Sequence, residues 1–424
     1  MSKKANLLIV SYHLPPYLEP QAIQVGRLLA HLPDSFQQYI VTADDSGSHR
    51  DHELYPDLPK RFADQIRIPH AGTLVWLVMR KLLFPFFRTP DDRLWWHVRA
   101  YRRIVRKWAS VDLDALVTFS YPLSSNVLGL WLKRHFRIPW VAFFSDPWVD
   151  SPYTRYRLIF KTVNSWLERR TLVHADRIVF ASQEMHDAYV RKYPFIRDKA
   201  ATLEHSFDPV LYPTAPMRDN RRLIVRYLGT LNRVRTPTAM LTALGELIGK
   251  KAITGQDVLF ELYGGADNLS RLLLSQLTTK YGLEGIVVRK GSVPYRDSLA
   301  VMEGADVLLV IDADIAGSVF LPSKLIDYIG AGRPVLGITP PDSATARVIR
   351  SAGGWVVSPR DHAAFAGTLL SIIDHHRKGT LDRFEPPAAV KERYSIDHHA
   401  AMATGILRTA IESTGRTIPA ERHE

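Results

Sequence analysis

Lys324 and Asp327 stand one helical turn apart in the stretch FLPSKLIDYIGAGRPVLGI, residues 320 to 338. A lysine there offers a point charge to a phosphate, and a carboxylate one turn further in can accept two hydrogen bonds from a vicinal diol such as a ribose. Pro322 suits the first helical position, and Gly330 and Gly332 stop the helix before a strand from Pro334 to Ile338. The N-terminus of such a helix presents free backbone N–H groups and the positive end of its dipole, both of which favour a phosphate. The pattern describes a nucleotide site. Ordinary solvated helix residues are the bland reading of the same spacing.

Other chemistries find less support. The chain has no cysteine, which excludes disulfides, thiolate metal sites and cysteine nucleophiles and fits a reducing compartment. GELIGKK, 245 to 251, has three residues between its glycines and no Ser or Thr after Lys250, so it is not a phosphate loop. GxGxxG and HExxH are absent, and the sixteen histidines show no metal-ligand spacing. Asp312-Ala-Asp314 and Asp112-Leu-Asp114 are acidic pairs short enough for chance to supply. No metal and no cofactor are expected.

The elements that must position Lys324 and Asp327 follow from length and periodicity. With 424 residues, 46% of them hydrophobic, the chain can build two domains. Strand-like runs fall at 6–12, 38–43, 114–120, 139–145 and 176–182, with helix-patterned segments at about 20–32, 92–109, 122–136, 153–174 and 183–192. SFDPVLYPTAPMRDNRR, 206 to 222, then has three prolines and no period. Alternation restarts with strands at 223–229, 257–264, 285–291, 306–312, 333–338 and 354–358. The expected class is therefore α/β, with two Rossmann-like parallel-sheet domains facing a central cleft and ligands bound beyond the carboxyl ends of the strands. The boundaries are 1–208 for the first domain, 209–222 for the linker and 223–393 for the second domain. A helix at 394–412 should cross back to complete the first domain, leaving a flexible tail at 413–424.

Charge narrows the partners. The formal net charge is +12, and residues 73–108 hold nine Lys and Arg against Asp91 and Asp92. Within 94–109 the apolar residues Leu94, Val98, Tyr101, Val105 and Trp108 make a helical stripe with arginines opposite, which packs on the domain's own sheet in the bland reading. Residues 73–88, with Trp76, Arg80, Lys81, Phe86 and Phe87, would instead meet an anionic membrane surface. The apolar run there is broken by charge and proline and cannot span a bilayer, and the apolar run at 7–10 is too short for a signal peptide. No nucleic-acid motif accompanies the charge. The expected location is cytoplasmic, peripheral on the inner face of the membrane.

SYHLPP, SYPLSSNVLG (120–129), FFSDPW (143–148), RYLGTLNRVRTP (226–237), GSVPYRDSLAVMEGADVLLV (291–310) and FLPSKLIDYIGAGRPVLGI occur in an order and spacing that resemble the retaining glycosyltransferases of the GT-B fold, family 4. The resemblance covers nearly the whole chain. It implies a nucleoside-diphosphate sugar bound mainly by the second domain, at Gly229, Thr230, Arg233, Arg235, Gly264, Gly265, Val293, Pro294, Ser323, Lys324, Leu325 and Asp327. The family's acidic pair reads Glu, seven residues, Glu; here the second position is Asp327 and the first is Val319.

In the first domain the resemblance implies an acceptor side of His13, Pro15, Pro16, Tyr121, Asp146 and Trp148. Asp146, His13, Lys324 and Arg235 are the catalytic candidates. Glu19-Pro20 stands where two glycines are common, and Gly229-Thr230 and Arg235-Thr236 stand where the family has Gly-Arg and Lys-Gly. The implied activity is metal-independent hexosyl transfer to a saccharide or lipid-linked acceptor in cell-surface polysaccharide or glycoconjugate synthesis. A nucleotide-sugar-binding protein without transferase activity is the rival reading.

Overall fold

The computed structural model describes residues 4–44, 50–69, 89–154, 156–213 and 221–415. It divides into two compact units, Met1–Glu204 with Ile396–Glu424, and His205–Ser395.

The first unit is built on seven parallel strands: β1 (Ala5–Ser11), β2 (Phe36–Asp44), β3 (Phe62–Pro69), β4 (Ala115–Ser120), β5 (Trp140–Phe144), β6 (Arg177–Phe180) and β7 (Ala200–Thr202). Their order is β3-β2-β1-β4-β5-β6-β7, so the winding reverses between β1 and β4. Leu7 to Val10 are all fully buried, as a strand covered on both faces requires. Helices Leu94–Lys107, Ser124–Phe136 and Leu158–His174 pack side by side in that order. The helix Ile396–Glu412 packs on the helix Pro20–His31 and on β4 and β5, placing Ala403, Leu407, Ala410 and Ile411 in this unit's core. The last helix thus returns to the first domain, as the sequence suggested.

Sequence periodicity locates five of these strands within a residue or two at either end and misses β3 and β7. The first is an edge strand with half-buried Gln65 and Arg67, and the second has three half-buried residues, so neither carries the apolar run that marks an inner strand. The stripe on Leu94–Lys107 also needs correcting. Its buried face is Trp96, His97, Ala100 and Ile104, followed by Trp108, whereas Leu94, Val98, Tyr101 and Val105 are half-buried. Trp96 sets that rotation by donating its indole N–H to the Ile68 carbonyl at 3.0 Å.

The second unit has six parallel strands: β8 (Leu223–Leu228), β9 (Val258–Tyr263), β10 (Val287–Gly291), β11 (Val307–Ile311), β12 (Val335–Ile338) and β13 (Trp355–Val357). They run β10-β9-β8-β11-β12-β13, with the reversal between β8 and β11. All six match the sequence expectation. Residues 205–213, expected to end one domain and begin a linker, are part of this unit. Phe207 is buried and pairs with Ser395, while Phe207 and Tyr212 pack on the helix Ser323–Gly330 so closely that a Cβ at Gly330 would lie 2.4 Å from the Tyr212 hydroxyl. Among the described residues no helix is long and apolar enough to cross a membrane.

Candidate functional site

In a doubly wound sheet, ligands bind at the carboxyl ends of the strands where the winding reverses. In the second unit that point lies between β8 and β11, and the loops following these strands carry Arg235 and Lys324.

The loop after β8 is shaped by backbone contact. Gly229 donates to the Tyr263 carbonyl at 2.9 Å, Leu231 to Gly265 at 3.0 Å, and Gly264 to Gly291 at 2.7 Å, which ties the ends of β8, β9 and β10 together. Gly264 has φ +109°, and a Cβ there would lie 2.2 Å from the Gly229 carbonyl oxygen, so only glycine fits. Thr230 and Gly265 are left exposed at the lip. The Asn232 side chain then closes a turn by accepting from the amides of Val234 at 3.1 Å and Arg235 at 2.9 Å. Arg235 leaves this turn half-buried, with no side-chain hydrogen bond or ion pair among the described residues. Arg233 is exposed beside Asp267, whose pKa is lowered first by the Ser270 amide and hydroxyl and then by Arg233.

The helix Ser323–Gly330 follows β11, with Pro322 as an N-cap that makes no side-chain capping bond. In its first turn the Leu325 N–H bonds back to the Pro322 carbonyl at 3.1 Å, and those of Ser323 and Lys324 have no intrahelical partner. Lys324 on that turn is exposed and likewise has no ion pair among the described residues. Its pKa is held below the usual lysine value, first by desolvation and then by the positive charge of Arg235, with Asp327 opposing. Two cations beside unpaired amides are arranged for an anion. The buried face of the helix fixes this geometry. Tyr328, fully buried, accepts from the Leu228 amide at 2.9 Å and so pins the end of β8, and Leu325 is a core residue.

Asp327 is buried rather than at the surface, and its Oδ1 accepts a hydrogen bond from the Tyr295 hydroxyl at 3.1 Å. Its carbonyl accepts from Tyr212 at 2.8 Å. Tyr295 opens a helix directly after Val293 and Pro294, so the expected base-side loop and the expected ribose ligand are joined through a residue that sequence reasoning missed. Its only signal was its place after Val293-Pro294. Ser323 is half-buried beside Lys324.

In the first unit, His13, Tyr121 and Asp146 follow β1, β4 and β5 and gather at the carboxyl edge where that sheet reverses. His13 is half-buried, its carbonyl accepting from Ser11 Oγ at 2.6 Å and its ring lying edge-on to Tyr12 at 4.8 Å. Pro15 is buried and Pro16 half-buried. Tyr121 is exposed, and its pKa is raised by burial of its surroundings and then by Asp91, Asp92 and Asp146. Trp148, expected on the acceptor side, does not reach solvent: its indole donates to Asn164 Oδ1 at 2.8 Å, which makes it a post beneath the carboxyl edge of the sheet rather than part of its surface.

The sequence reading also missed Asp91. It accepts from the Ser124 amide and hydroxyl, both at 2.7 Å, and so caps the helix Ser124–Phe136 from a separate loop. His97 lies 2.8 Å from the same hydroxyl and 3.1 Å from Ser125 Oγ. Complete burial lowers its pKa to about 3, so this Asp, Ser and His cluster is neutral at His97, with His97 and Ser124 buried and Asp91 half-buried, unlike a nucleophilic triad.

The acidic pairs separate. Asp312 accepts from Thr345 at 2.7 Å, Asp314 pairs with Arg360 at 2.5 Å, and no group of three potential ligands gathers for a metal among the described residues. Trp76, Arg80, Lys81, Phe86 and Phe87 lie outside the described residues.

Residues 21–203 match the profile described as Glycosyl transferase 4-like domain. The matched stretch lies wholly within the first unit. Across both units the fold is GT-B, shared with Anabaena Alr3699/HepE, solved with UDP and with UDP and glucose (14% identity, 96% of this chain and 100% of that one, TM-scores 0.67 and 0.68). Sucrose-phosphate synthase from Thermosynechococcus elongatus has 18% identity over 97% of this chain and 100% of its own, at a TM-score of 0.68. The lipopolysaccharide outer core galactosyltransferase WaaB has 11% identity over 96% and 99%, at 0.61. At these identities the likeness is one of fold. No curated protein matches the sequence.

Proposed function

We propose that this chain is a retaining glycosyltransferase that moves a sugar from a nucleoside-diphosphate sugar to a saccharide or lipid-linked acceptor. The observation that carries the reading is the pair Lys324 and Arg235, two cations without ion-pair partners among the described residues, set beside the open first turn of Ser323–Gly330. The nucleotide-sugar complexes known for a protein of the same fold support a donor of this class.

The reaction separates charge between an oxocarbenium-like sugar and a departing diphosphate. Fixed positive potential at the phosphates therefore lowers the barrier more than it tightens the ground state. Lys324, Arg235 and the helix amides supply that potential, and we read the transfer as metal-independent on the strength of this donor set. Asp327, held by Tyr295, receives the ribose hydroxyls, and the Gly229 and Gly264 backbones allow close approach of the diphosphate. Asp146 and His13 orient the acceptor hydroxyl and the sugar, with Tyr121 beside them. We place the product in cell-surface polysaccharide or glycoconjugate synthesis, on the cytoplasmic side of the membrane.

A thermal-shift screen of the intact protein against UDP, GDP, ADP and their sugars tests the donor class. Stabilisation by a nucleoside diphosphate, followed by slow donor hydrolysis or transfer, is expected; no shift with any of them would overturn the reading. The rival, a nucleotide-sugar-binding protein without turnover, is favoured by Val319 at the position of the family's first acid. It predicts stabilisation without hydrolysis.

A further inference from the structure

The helix Leu158–His174 is built with its apolar side outward. Its buried residues are Asn164, Glu168, Thr171 and Leu172, whereas Leu158 is 82% exposed, Ile159 60% and Trp166 57%, and Val163 and Val173 are also exposed. At roughly 100° per residue, positions 158, 159, 162, 163, 166, 169, 170 and 173 share one arc of about 140°. The helix cannot roll to hide this face, because its inner side is tied down. Asn164 accepts from Trp148, and Glu168 accepts from the Val149 amide at 3.0 Å, Tyr189 at 2.9 Å, and Lys192 and Tyr193 at 2.8 Å.

The charge on that helix has one sign. Arg157 at its N-cap, Lys161, Arg169 and Arg170 are exposed, and its one carboxylate, Glu168, is the buried one. The Arg170 guanidinium lies 5.4 Å from the Trp166 ring, and that of Arg169 lies 5.7 Å from the exposed ring of Phe195. At the C-terminal end of the helix, Lys133, Arg134, Arg137 and His174 line an open cavity of about 340 Å³ with Asp176 and Thr414. The side chains of Arg134 and Arg137 make no hydrogen bond or ion pair among the described residues.

We infer that the outer face of Leu158–His174 docks on an anionic lipid surface, its apolar residues entering the acyl boundary and its arginines and the basic cavity meeting headgroup phosphates. An exposed apolar stripe carrying tryptophan, bordered by cations and with no exposed acid on the helix itself, is the pattern of an interfacial helix. A second copy of the chain fits this face poorly, since a twofold contact would set arginines against arginines. The inference stands apart from the transferase reading, because binding to vesicles needs no donor.

The test is flotation of the full chain with vesicles of phosphatidylcholine alone and of phosphatidylcholine with about a third phosphatidylglycerol. Binding to the anionic vesicles is expected, weakening as salt rises. Leu158→Ser, Ile159→Ser and Trp166→Ser together should lower the partition coefficient at least ten-fold with unchanged circular dichroism, as should Arg169→Glu with Arg170→Glu. Because the chain has no cysteine, Trp166→Cys takes a single environment-sensitive dye. Its emission should shift to the blue on anionic vesicles only. Absence of binding overturns the inference. So does binding that survives both sets of substitutions, which would point to residues 73–88, or a dimer that the serine variant dissociates while vesicles have no effect.

Discussion

Replacing Lys324 by alanine separates the phosphate contact from the rest of the nucleotide. The side chain is exposed and without an ion pair among the described residues, so its loss opens no cavity and strands no partner. Because the cation sits beside Arg235 in desolvating surroundings, the ligand-free protein should be at least as stable without it. A charge-assisted hydrogen bond contributes about 1.5–3 kcal/mol, which corresponds to a loss of roughly ten- to hundred-fold in nucleoside diphosphate affinity. Turnover should fall further than binding, because the diphosphate gains charge as it leaves. Calorimetry with the diphosphate and with its bare nucleoside gives the control. Lys324→Ala should weaken the first and spare the second, whereas Asp327→Asn, which keeps an acceptor for Tyr295, should weaken both. The sign with pH follows from the direction of the shift: protonated Lys324 binds phosphate, so affinity should decline with alkalinity sooner than for a lysine of ordinary pKa. Equal losses of nucleoside and diphosphate in the Lys324 variant, or none in either, would refute the assignment.

Other perturbations test the scaffold. Gly264→Ala meets both a positive φ and the Gly229 carbonyl; a destabilisation of about 2 kcal/mol or more should appear in denaturant melts, together with weakened nucleotide binding. Glu168→Ala leaves Tyr189, Tyr193, Lys192 and the Val149 amide without their shared acceptor, so a loss of about 3–5 kcal/mol is expected, and a change under 1 kcal/mol would contradict the buried network. His97, with a folded pKa of about 3, binds fewer protons folded than unfolded, so its contribution is full above pH ~6.5 and falls below it by about 1.4 kcal/mol per unit. Burial raises the Asp91 pKa and works the other way, so the reading is a comparison. His97→Gln should lose about 2 kcal/mol less than the parent between pH 7 and 5, and identical pH profiles would contradict a neutral, buried His97.

The inner strands were legible because each is a short apolar run covered on both faces, a pattern visible in one dimension. Edge strands β3 and β7 lack that cover and left no such trace. The same limit applied to the site. Lys324 and Asp327 were candidates from helix spacing, and Arg235 from its place in the resemblance, since each depends on local sequence. Tyr295 and Asp91 could not, because they act through partners 32 and 33 residues away, and only the folded sheet brings these together. Trp148 shows the converse error: the resemblance implied an acceptor-side role, but its burial against Asn164 was decided by a helix sixteen residues on. Residues 206–213 misled for a third reason. Prolines interrupt any period, yet Phe207 and Tyr212 have a place to pack because Gly330 lacks a side chain.

The short helix Ser323–Gly330 explains why so few residues can hold a site. Eight residues form too short a helix to be stable alone, so its orientation must come from tertiary contacts. Tyr328 ties it to the end of β8, Asp327 ties it to the helix after Pro294, and Gly330 seats it under Phe207 and Tyr212. Its inner face is thereby occupied with positioning, Asp327 serving both there and at the proposed ribose, and the first turn is left to meet the phosphates. That division predicts different failures for neighbouring substitutions. Lys324 variants should lose phosphate binding in a protein that melts normally. Tyr328→Phe removes the acceptor for the buried Leu228 amide, which costs about 1–3 kcal/mol, and frees the β8 loop that aims Arg235. It should therefore lower stability and diphosphate affinity together, and a Tyr328→Phe protein that melts and binds like the parent would show that the helix is held in some other way.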